Sequence, residues 1–237
     1  MSKQSIASLV LMIAVILLMV VLGNFMPEDY RNFAVEDGPV EYLTFFALLG
    51  VSFLLFSRFL SFRQNQTLLW KAVTIGAALL FIFGAGEEIS WGQRLMGWET
   101  SEAMAALNSQ NETNLHNIKI NGVKLNKIIF TNGLGLGLGT YFLILPLIAR
   151  SKPNFLKTLA KAGVPLSRWA ITITFLVSVL LVLLIPQSNK WETLEVAVPL
   201  VAMAVLFDAF PSKKDGEATE AEYHRAGMLP ISMRTDT

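Results

Sequence analysis

The stretch IASLVLMIAVILLMVVLGNF, residues 6–25, decides the fold class of this chain, because it contains 20 consecutive residues without a charge. A helix of that length covers about 30 Å, which is the thickness of the hydrocarbon layer of a membrane. No cleavage site made of small residues follows before Pro27, so the stretch is predicted to be a retained membrane anchor and not a cleaved signal peptide.

Five further apolar stretches have similar lengths. The six predicted spans are residues 6–25, 42–60, 68–86, 128–148, 169–185 and 194–210. The composition agrees with this interpretation, since 53% of the residues are hydrophobic and only 16% are charged. We therefore expect an all-α integral membrane bundle of about six transmembrane helices in residues 1–210. The loop 95–127 is expected to carry a short helix, and the tail 211–237 to be disordered apart from a short helix near residues 217–225.

The basic residues predict the orientation of the bundle. If the N-terminus is cytoplasmic, 13 of the 19 lysines and arginines lie on the cytoplasmic side and six lie outside. This distribution satisfies the positive-inside rule, so both termini are predicted to be cytoplasmic and the loop 95–127 extracytoplasmic. The net charge of +1 gives no reason to expect a nucleic-acid partner. The absence of cysteine excludes disulfides, thiolate metal sites and iron–sulfur clusters.

Under that topology, 12 of the 18 acidic residues face the outer side, and two polar runs stand out among them. The first, GEEISWGQR, occupies residues 86–94 at the end of the third span, and the second, NSQNETNLHN, occupies residues 108–117. Two adjacent carboxylates at the edge of the hydrocarbon layer are costly to desolvate. These runs therefore predict a polar site at the outer membrane face, to which several chain segments contribute.

The residue types suggest roles within that site. Glu87, Glu88 and His116 are candidate acid–base residues, and the same three with Glu112 could ligate a divalent cation held mainly by carboxylates. A structural ion-pair network is the alternative for the two adjacent glutamates, and simple hydrogen bonding is the alternative for the histidine. Candidate substrate-binding residues are Arg94, Trp91, Gln93 and Asn114, and candidate supporting acids are Glu36, Asp37 and Glu41.

Helical spacing adds two geometric expectations. If the third helix continues to Arg94, then Glu87, Trp91 and Arg94 share one face, while Glu88 points about 100° away. Arg94 should then reach a carboxylate on another segment, such as Glu41 or Glu112, or an anionic group of a ligand. If residues 108–116 are helical, Asn108, Glu112 and His116 form one stripe. Trp91 could instead be an ordinary interfacial belt residue.

The three motifs together resemble a family of uncharacterised bacterial multi-pass inner-membrane proteins. The residues that carry the resemblance are Glu36-Asp37-Gly38 with Glu41, the run 86–94, and Asn114-Leu115-His116-Asn117. The resemblance implies a bacterial inner-membrane location and a shared site, but no particular reaction. The chain also resembles, more loosely, intramembrane hydrolases of the ceramidase type, but it lacks the histidine cluster of those enzymes.

Two classes of function follow from these residues. The first is a membrane-embedded, metal-dependent or acid–base enzyme that acts on a lipid or lipid-linked substrate at the outer leaflet. The second is a non-enzymatic protein, either an accessory subunit of a membrane complex or an ion or small-solute carrier. Transport ranks lower, because it would need ionisable residues deep in several helices. None lie at mid-depth in the first, second, fourth, fifth or sixth span.

Overall fold

The computed structural model describes residues 1–35, 38–108, 111–115, 118–120, 123–124, 133, 135–209 and 220–228. This part of the chain is almost entirely α-helical. Its α-helices are α1 (Lys3–Phe25), α2 (Pro27–Phe33), α3 (Pro39–Phe62), α4 (Leu68–Glu88), α5 (Gln93–Met96), α6 (Glu102–Ala105), α7 (Gly135–Gly139), α8 (Leu145–Ser151), α9 (Pro153–Lys161), α10 (Trp169–Leu183), α11 (Lys190–Ala209) and α12 (Glu220–Arg225). Two short strands, β1 (Lys119–Ile120) and β2 (Val123–Lys124), pair antiparallel in the loop after α6.

Three helices, α1, α3 and α4, are long and apolar enough to cross a membrane, which confirms the membrane class and three of the predicted spans. Large apolar side chains on these helices face outward, as lipid-facing residues do; Val10, Phe53 and Leu80 are each more than 60% exposed. The helix α10 and the segment Gly135–Ser151 are apolar but shorter. The 20-residue helix α11 also carries acidic residues near both of its ends.

Local sequence explains where the long helices begin. Ser2 caps α1 by accepting a hydrogen bond from the backbone N–H of Ser5 at 3.0 Å, and Thr67 caps α4 in the same way with Trp70. A proline occupies the first position of α3, where its missing N–H costs no hydrogen bond. The helices α1 and α3 therefore begin three residues before the predicted spans, whereas α4 begins at the predicted residue.

The helix α11 forms the centre of the bundle and packs against α1, α3 and α10. Its residues Val196, Ala197 and Leu200 are buried in one apolar core with Met12 and Ile16 of α1. Polar side chains support this packing across helix pairs. The Ser8 hydroxyl donates to the carbonyl of Leu200 at 2.7 Å, and the Ser52 hydroxyl of α3 donates to the carbonyl of Ala78 in α4 at 2.9 Å.

The fourth predicted span is described only from Gly135 onward, apart from Gly133. In its described part, a wide π turn, Thr140–Ile144, ends two residues before Pro146. The proline has no N–H for the carbonyl of Phe142, and a widened turn next to a proline accommodates that missing bond.

The segment 220–228 is folded against the bundle, so the prediction of a disordered tail is wrong for these residues, although its short helix is confirmed as α12. The buried Arg58 guanidinium and the Trp70 indole N–H both donate to the carbonyl of Gly227 at 2.8 Å. The side chain of Met228 is fully buried. Buried hydrogen-bond donors on α3 and α4 thus bind backbone carbonyls of the tail, although the polar composition of the tail predicted that it would be solvated. Residues 211–219 and 229–237 of the predicted tail lie outside the described residues.

Contacts between elements place specific residues at opposite ends of the bundle. The Met1 nitrogen lies 3.7 Å from Asp208 at the end of α11, and Asp208 also pairs with Arg168 at the start of α10. The segment 220–228 contacts the same end through Leu166. The beginnings of α3 and α11 and the end of α4 lie at the other end, where the candidate site is found.

Candidate functional site

The helix α4 ends at Glu88, and the next residues turn sharply away from its axis. Ser90, Trp91 and Gly92 all have left-handed backbone conformations, with φ of 48°, 56° and 76°. This conformation is unfavourable for a residue as bulky as tryptophan, and such strain persists only where surrounding contacts stabilise it. The expectation of a continuous helix to Arg94, with Glu87, Trp91 and Arg94 on one face, is therefore wrong.

Contacts of the Trp91 side chain stabilise this turn. The indole N–H donates to Glu87 Oε1 at 2.9 Å, and the edge of the ring meets Phe83 at a centroid distance of 5.6 Å. The ring also lies directly on Gly86, where an added Cβ would come within 2.8 Å of it. Trp91 thus folds back over the last turn of α4, and the glycine of the motif provides the space that it needs.

The Glu87 carboxylate joins the end of α4 to the loop that follows. Glu87 is only 4% exposed, and its second oxygen, Oε2, accepts a hydrogen bond from the backbone N–H of Leu115 at 2.6 Å. Both oxygens therefore accept hydrogen bonds from the protein, one from the side chain of Trp91 and one from the distant loop. Glu87 therefore holds the turn and the distant loop together through these two hydrogen bonds.

The Glu112 carboxylate is the centre of the loop. It is 5% exposed; its Oε1 pairs with Arg94, and its Oε2 accepts from the Ser90 hydroxyl at 3.0 Å and the Asn114 amide at 2.7 Å. The expectation that Arg94 reaches a carboxylate on another segment is confirmed, and that carboxylate is Glu112. The Glu112 carboxylate of this charge-assisted pair is buried, whereas the Arg94 side chain is 39% exposed.

Amide side chains complete this loop network. The Gln93 amide N–H donates to Thr100 Oγ1 at 2.7 Å, and its oxygen accepts from the backbone N–H of Thr113 at 2.7 Å. The Asn108 amide donates to Asn114 Oδ1 at 2.9 Å. The described residues between 108 and 115 are not helical, so the predicted helical stripe of Asn108, Glu112 and His116 is wrong.

Glu88 takes a different direction from its neighbour Glu87, as the 100° rotation between adjacent helical residues predicted. It lies close enough to Glu41 of α3 and Glu192 of α11 for their charges to act on it. Glu195 of α11 is also close to Glu88 and Glu41, and it forms a hydrogen bond with Glu192. We call Glu41, Glu88, Glu192 and Glu195 the carboxyl cluster.

The helix α2 covers the region beside this cluster. The hydroxyl of the fully buried Tyr30 lies 3.2 Å from Thr193 Oγ1 and donates to the carbonyl of Asn189 at 3.4 Å. Burial raises the pKa of Tyr30 above its usual value; the hydrogen bond to Thr193 opposes this effect, and the nearby Glu192 adds to it. Tyr30 therefore remains a neutral hydrogen-bonding residue at the base of α11.

The contacts of the described site residues form two groups that adjoin at Glu87 and Glu88. Glu87, Glu112, Arg94, Trp91, Gln93 and Asn114 belong to the loop network, whereas Glu88 and Glu41 belong to the carboxyl cluster. Three predicted members, Glu36, Asp37 and His116, lie outside the described residues. Within the described residues, no group of three or more acidic or histidine side chains is arranged to ligate a metal ion.

Four important residues were absent from the predicted site. Ser90 and Asn108 each bind a member of the loop network, and Glu192 and Glu195 complete the carboxyl cluster. Glu192 and Glu195 lie three residues apart at the start of an apolar helix, and this spacing indicated that they share one face. Ser90 and Asn108 lie within the two polar runs, but their residue types did not predict that they would bind Glu112 and Asn114.

Comparisons with known proteins found no matching family model, no matching curated protein and no matching solved structure.

Proposed function

We propose that the chain is a six-span protein of a bacterial inner membrane, with both termini cytoplasmic and the carboxyl cluster at the extracytoplasmic face. The excess of basic residues on one side supports this orientation. The position of Met1 and of residues 220–228 at the same end of the bundle agrees with it. Reporter fusions at Gln110 and after residue 237 should give opposite compartment readings, and identical readings would contradict the topology.

We further propose that the carboxyl cluster binds and exchanges a proton, and that the protein uses this proton for acid–base chemistry on a lipid or lipid-linked substrate at the outer leaflet. The observation that carries this proposal is the convergence of Glu41, Glu88, Glu192 and Glu195 from three helices, close enough for their charges to act on one another. Neighbouring carboxylates oppose one another's ionisation, so such a cluster favours holding a proton. A carboxylic acid beside ionised carboxylates is the arrangement that acid–base enzymes use.

Glu88 is the candidate acid–base residue of this cluster. In the motif 86–94, the other polar side chains hold the loop, whereas Glu88 faces carboxyl groups from two other helices. In the described part of the chain, the charged groups that act on Glu88 are Glu192, Glu41 and Glu87, all of them carboxyl groups. Four carboxyl groups this close cannot all be ionised without a proton or another cation among them. Glu88 also ends its helix, at the end of the bundle that the proposed topology places outside.

A non-enzymatic proton or cation carrier is the second candidate, and a feature of α11 favours it. Pro199 lies four residues after Glu195, so the Glu195 carbonyl has no helical N–H to accept. Carriers often place such freed carbonyls beside carboxylates at a cation site. In this candidate the cluster would load its cation from the outer face and release it along the bundle.

Infrared pH titration of the protein in lipid nanodiscs tests the proton site directly. The wild-type protein should show a protonated carboxyl band that persists near neutral pH. Glu88→Gln and Glu195→Gln should each reduce that band. Glu28→Gln, which changes an exposed glutamate at the same end of the bundle, should leave it unchanged. A Glu88→Gln spectrum identical to that of the Glu28→Gln control would contradict the proposal.

Two functional assays separate the candidates. Incubation with a bacterial lipid extract followed by mass spectrometry should reveal a product that depends on Glu88 if the protein is an enzyme. Proteoliposomes loaded with a pH-sensitive dye should instead show proton flux that depends on Glu88 if it is a carrier. The Glu28→Gln protein should remain active in whichever assay responds.

A further inference from the structure

A cleft at the opposite end of the bundle collects three arginines from three separate segments. It has a volume of about 410 Å³ and lies between α8, α9, the start of α10 and α12. Arg150, Arg168 and Arg225 line it, together with apolar walls. Basic clefts between apolar helices on the cytoplasmic side of membrane proteins typically bind anionic head groups.

The described lining of this cleft contains three arginines and no acidic residue. Arg168 pairs with Asp208, whereas Arg150 and Arg225 have no ion pair among the described residues. The guanidinium group of Arg150 stacks over the ring of Trp169, 5.1 Å from its centroid, which holds it at the edge of the cleft. Among the described residues, two of the three arginines that line this partly enclosed space therefore have no acidic partner.

The chemistry of the lining defines the ligand. Guanidinium groups bind phosphate oxygens through paired hydrogen bonds, and three of them around one cleft suit a phosphate better than a carboxylate. Pro146, Leu156 and Leu166 provide the apolar wall, and Trp169 belongs to the residue type that is enriched at membrane interfaces. A ligand with a phosphate and an adjoining apolar part matches both features.

We propose that this cleft binds the phosphate of an anionic phospholipid in the leaflet at this end of the bundle. Arg150 and Arg225 contact the phosphate oxygens, and Arg168, held by Asp208, closes the third side. The glycerol and the upper acyl chains then lie along the apolar wall. This site is separate from the carboxyl cluster and does not depend on the function proposed for it.

Lipid binding at this site is coupled to the docked segment 220–228. Arg225 belongs to α12, and its backbone carbonyl accepts a hydrogen bond from the N–H of Leu166 at 2.8 Å, within the cleft wall. The same segment is held from the other side by Arg58 and Trp70. A bound lipid therefore stabilises the docked segment, and by linkage the docked segment raises the affinity for lipid.

The test uses the full-length protein in phosphatidylcholine nanodiscs with increasing amounts of phosphatidylglycerol. Retained lipid is counted by native mass spectrometry. The double variant Arg150→Gln, Arg225→Gln should bind phosphatidylglycerol roughly thirtyfold more weakly, from about 1 kcal/mol for each arginine. The control is Arg63→Gln, an exposed arginine at the same end that does not line the cleft; it should bind like the wild type.

Hydrogen exchange and a competition arm complete the experiment. Phosphatidylglycerol should slow exchange in residues 220–228 of the wild type and of Arg63→Gln, but not of the double variant. Unchanged lipid retention by the double variant would overturn the proposal. If sodium phosphate saturates the cleft and phosphatidylglycerol gives no preference over phosphatidylcholine, the lipid assignment is overturned in favour of a soluble anion.

Discussion

Replacing Gly86 with alanine tests whether Trp91 holds the turn that follows α4. An added Cβ at this position would lie 2.8 to 2.9 Å from three atoms of the Trp91 ring, whereas ordinary contacts begin at 3.4 Å. The ring must therefore move by at least the difference, about 0.6 Å, away from the helix. That shift moves the indole N–H away from Glu87 and leaves the left-handed turn without its main support.

The size of the effect can be worked out from these contacts. Overpacking costs about 1–3 kcal/mol, and a hydrogen bond to a charged acceptor contributes about 1.5–3 kcal/mol. Trp91 is 40% exposed, so water replaces part of the lost hydrogen bond. We expect the local stability of the loop 89–115 to fall by about 2–4 kcal/mol relative to a matched control.

Gly84→Ala is that control, because it adds the same methyl group two residues earlier, where the nearest atoms lie at 3.7 Å. Any gain in helix propensity is common to both variants and cancels in the comparison. The assay is hydrogen exchange in nanodiscs, read at the amide of Leu115, which donates to Glu87. Exchange should be about thirtyfold faster, or more, in Gly86→Ala than in Gly84→Ala.

A double-mutant cycle isolates the ring contact. In a Trp91→Ala background the clash is absent, so adding Gly86→Ala should have little further effect. Equal exchange in the two glycine variants would refute the packing argument. A Gly86→Ala effect that persists without the tryptophan ring would refute it as well.

Three further predictions concern other parts of the structure. Gly227→Ala should release the segment 220–228, because a Cβ at this position would lie 2.6 Å from the nearest backbone atom. The control is Gly97→Ala, which has a similar positive φ but open space around it and so reports the backbone strain alone. Limited proteolysis compares the two variants. Tyr30→Phe should lower thermal stability by about 1 kcal/mol. The pKa of Tyr30 is raised in the folded protein, so its neutral form stabilises the fold below pH 10. This stabilisation should be lost as the pH rises above 10 in unfolding curves of the wild type. Curves of the variant should not show that loss. Arg94→Gln should destabilise the loop by about 1–2 kcal/mol. This is less than the loss of a fully buried ion pair would cost, because the arginine is 39% exposed. Faster amide hydrogen exchange at Glu112 and its neighbours should report the effect.

The long helices could be predicted from the sequence because each depends on a property that a run of residues carries by itself. Uninterrupted apolar runs mark α1, α3 and α4, and Pro39 and Thr67 mark the beginnings of α3 and α4. The separation of Glu88 from Glu87 was also predictable, since adjacent helical residues point about 100° apart. These features need no knowledge of distant contacts.

The turn at Trp91 and the docked tail could not be predicted in this way. A tryptophan gives no local indication of a left-handed conformation, which here requires Gly86 and Glu87 to stabilise it. The polar composition of the tail predicts that it is solvated, but its backbone carbonyls accept hydrogen bonds from Arg58, which is buried near the end of α3. Both features depend on partners that lie outside the local stretch, and residue spacing carries no information about them.

The central position of α11 has a consequence for how the chain is made. The helices α1, α3 and α10 all pack on it, and the Ser8 hydroxyl of α1 finds its acceptor there, at Leu200. Ribosomes add roughly 5–20 residues per second, so α1 enters the membrane on the order of ten seconds before its principal neighbour is synthesised. During that interval α1 and α3 must remain in the bilayer without their common partner, and their largely apolar surfaces make this possible. Assembly of the bundle is therefore a late event, completed only after α11 has been synthesised.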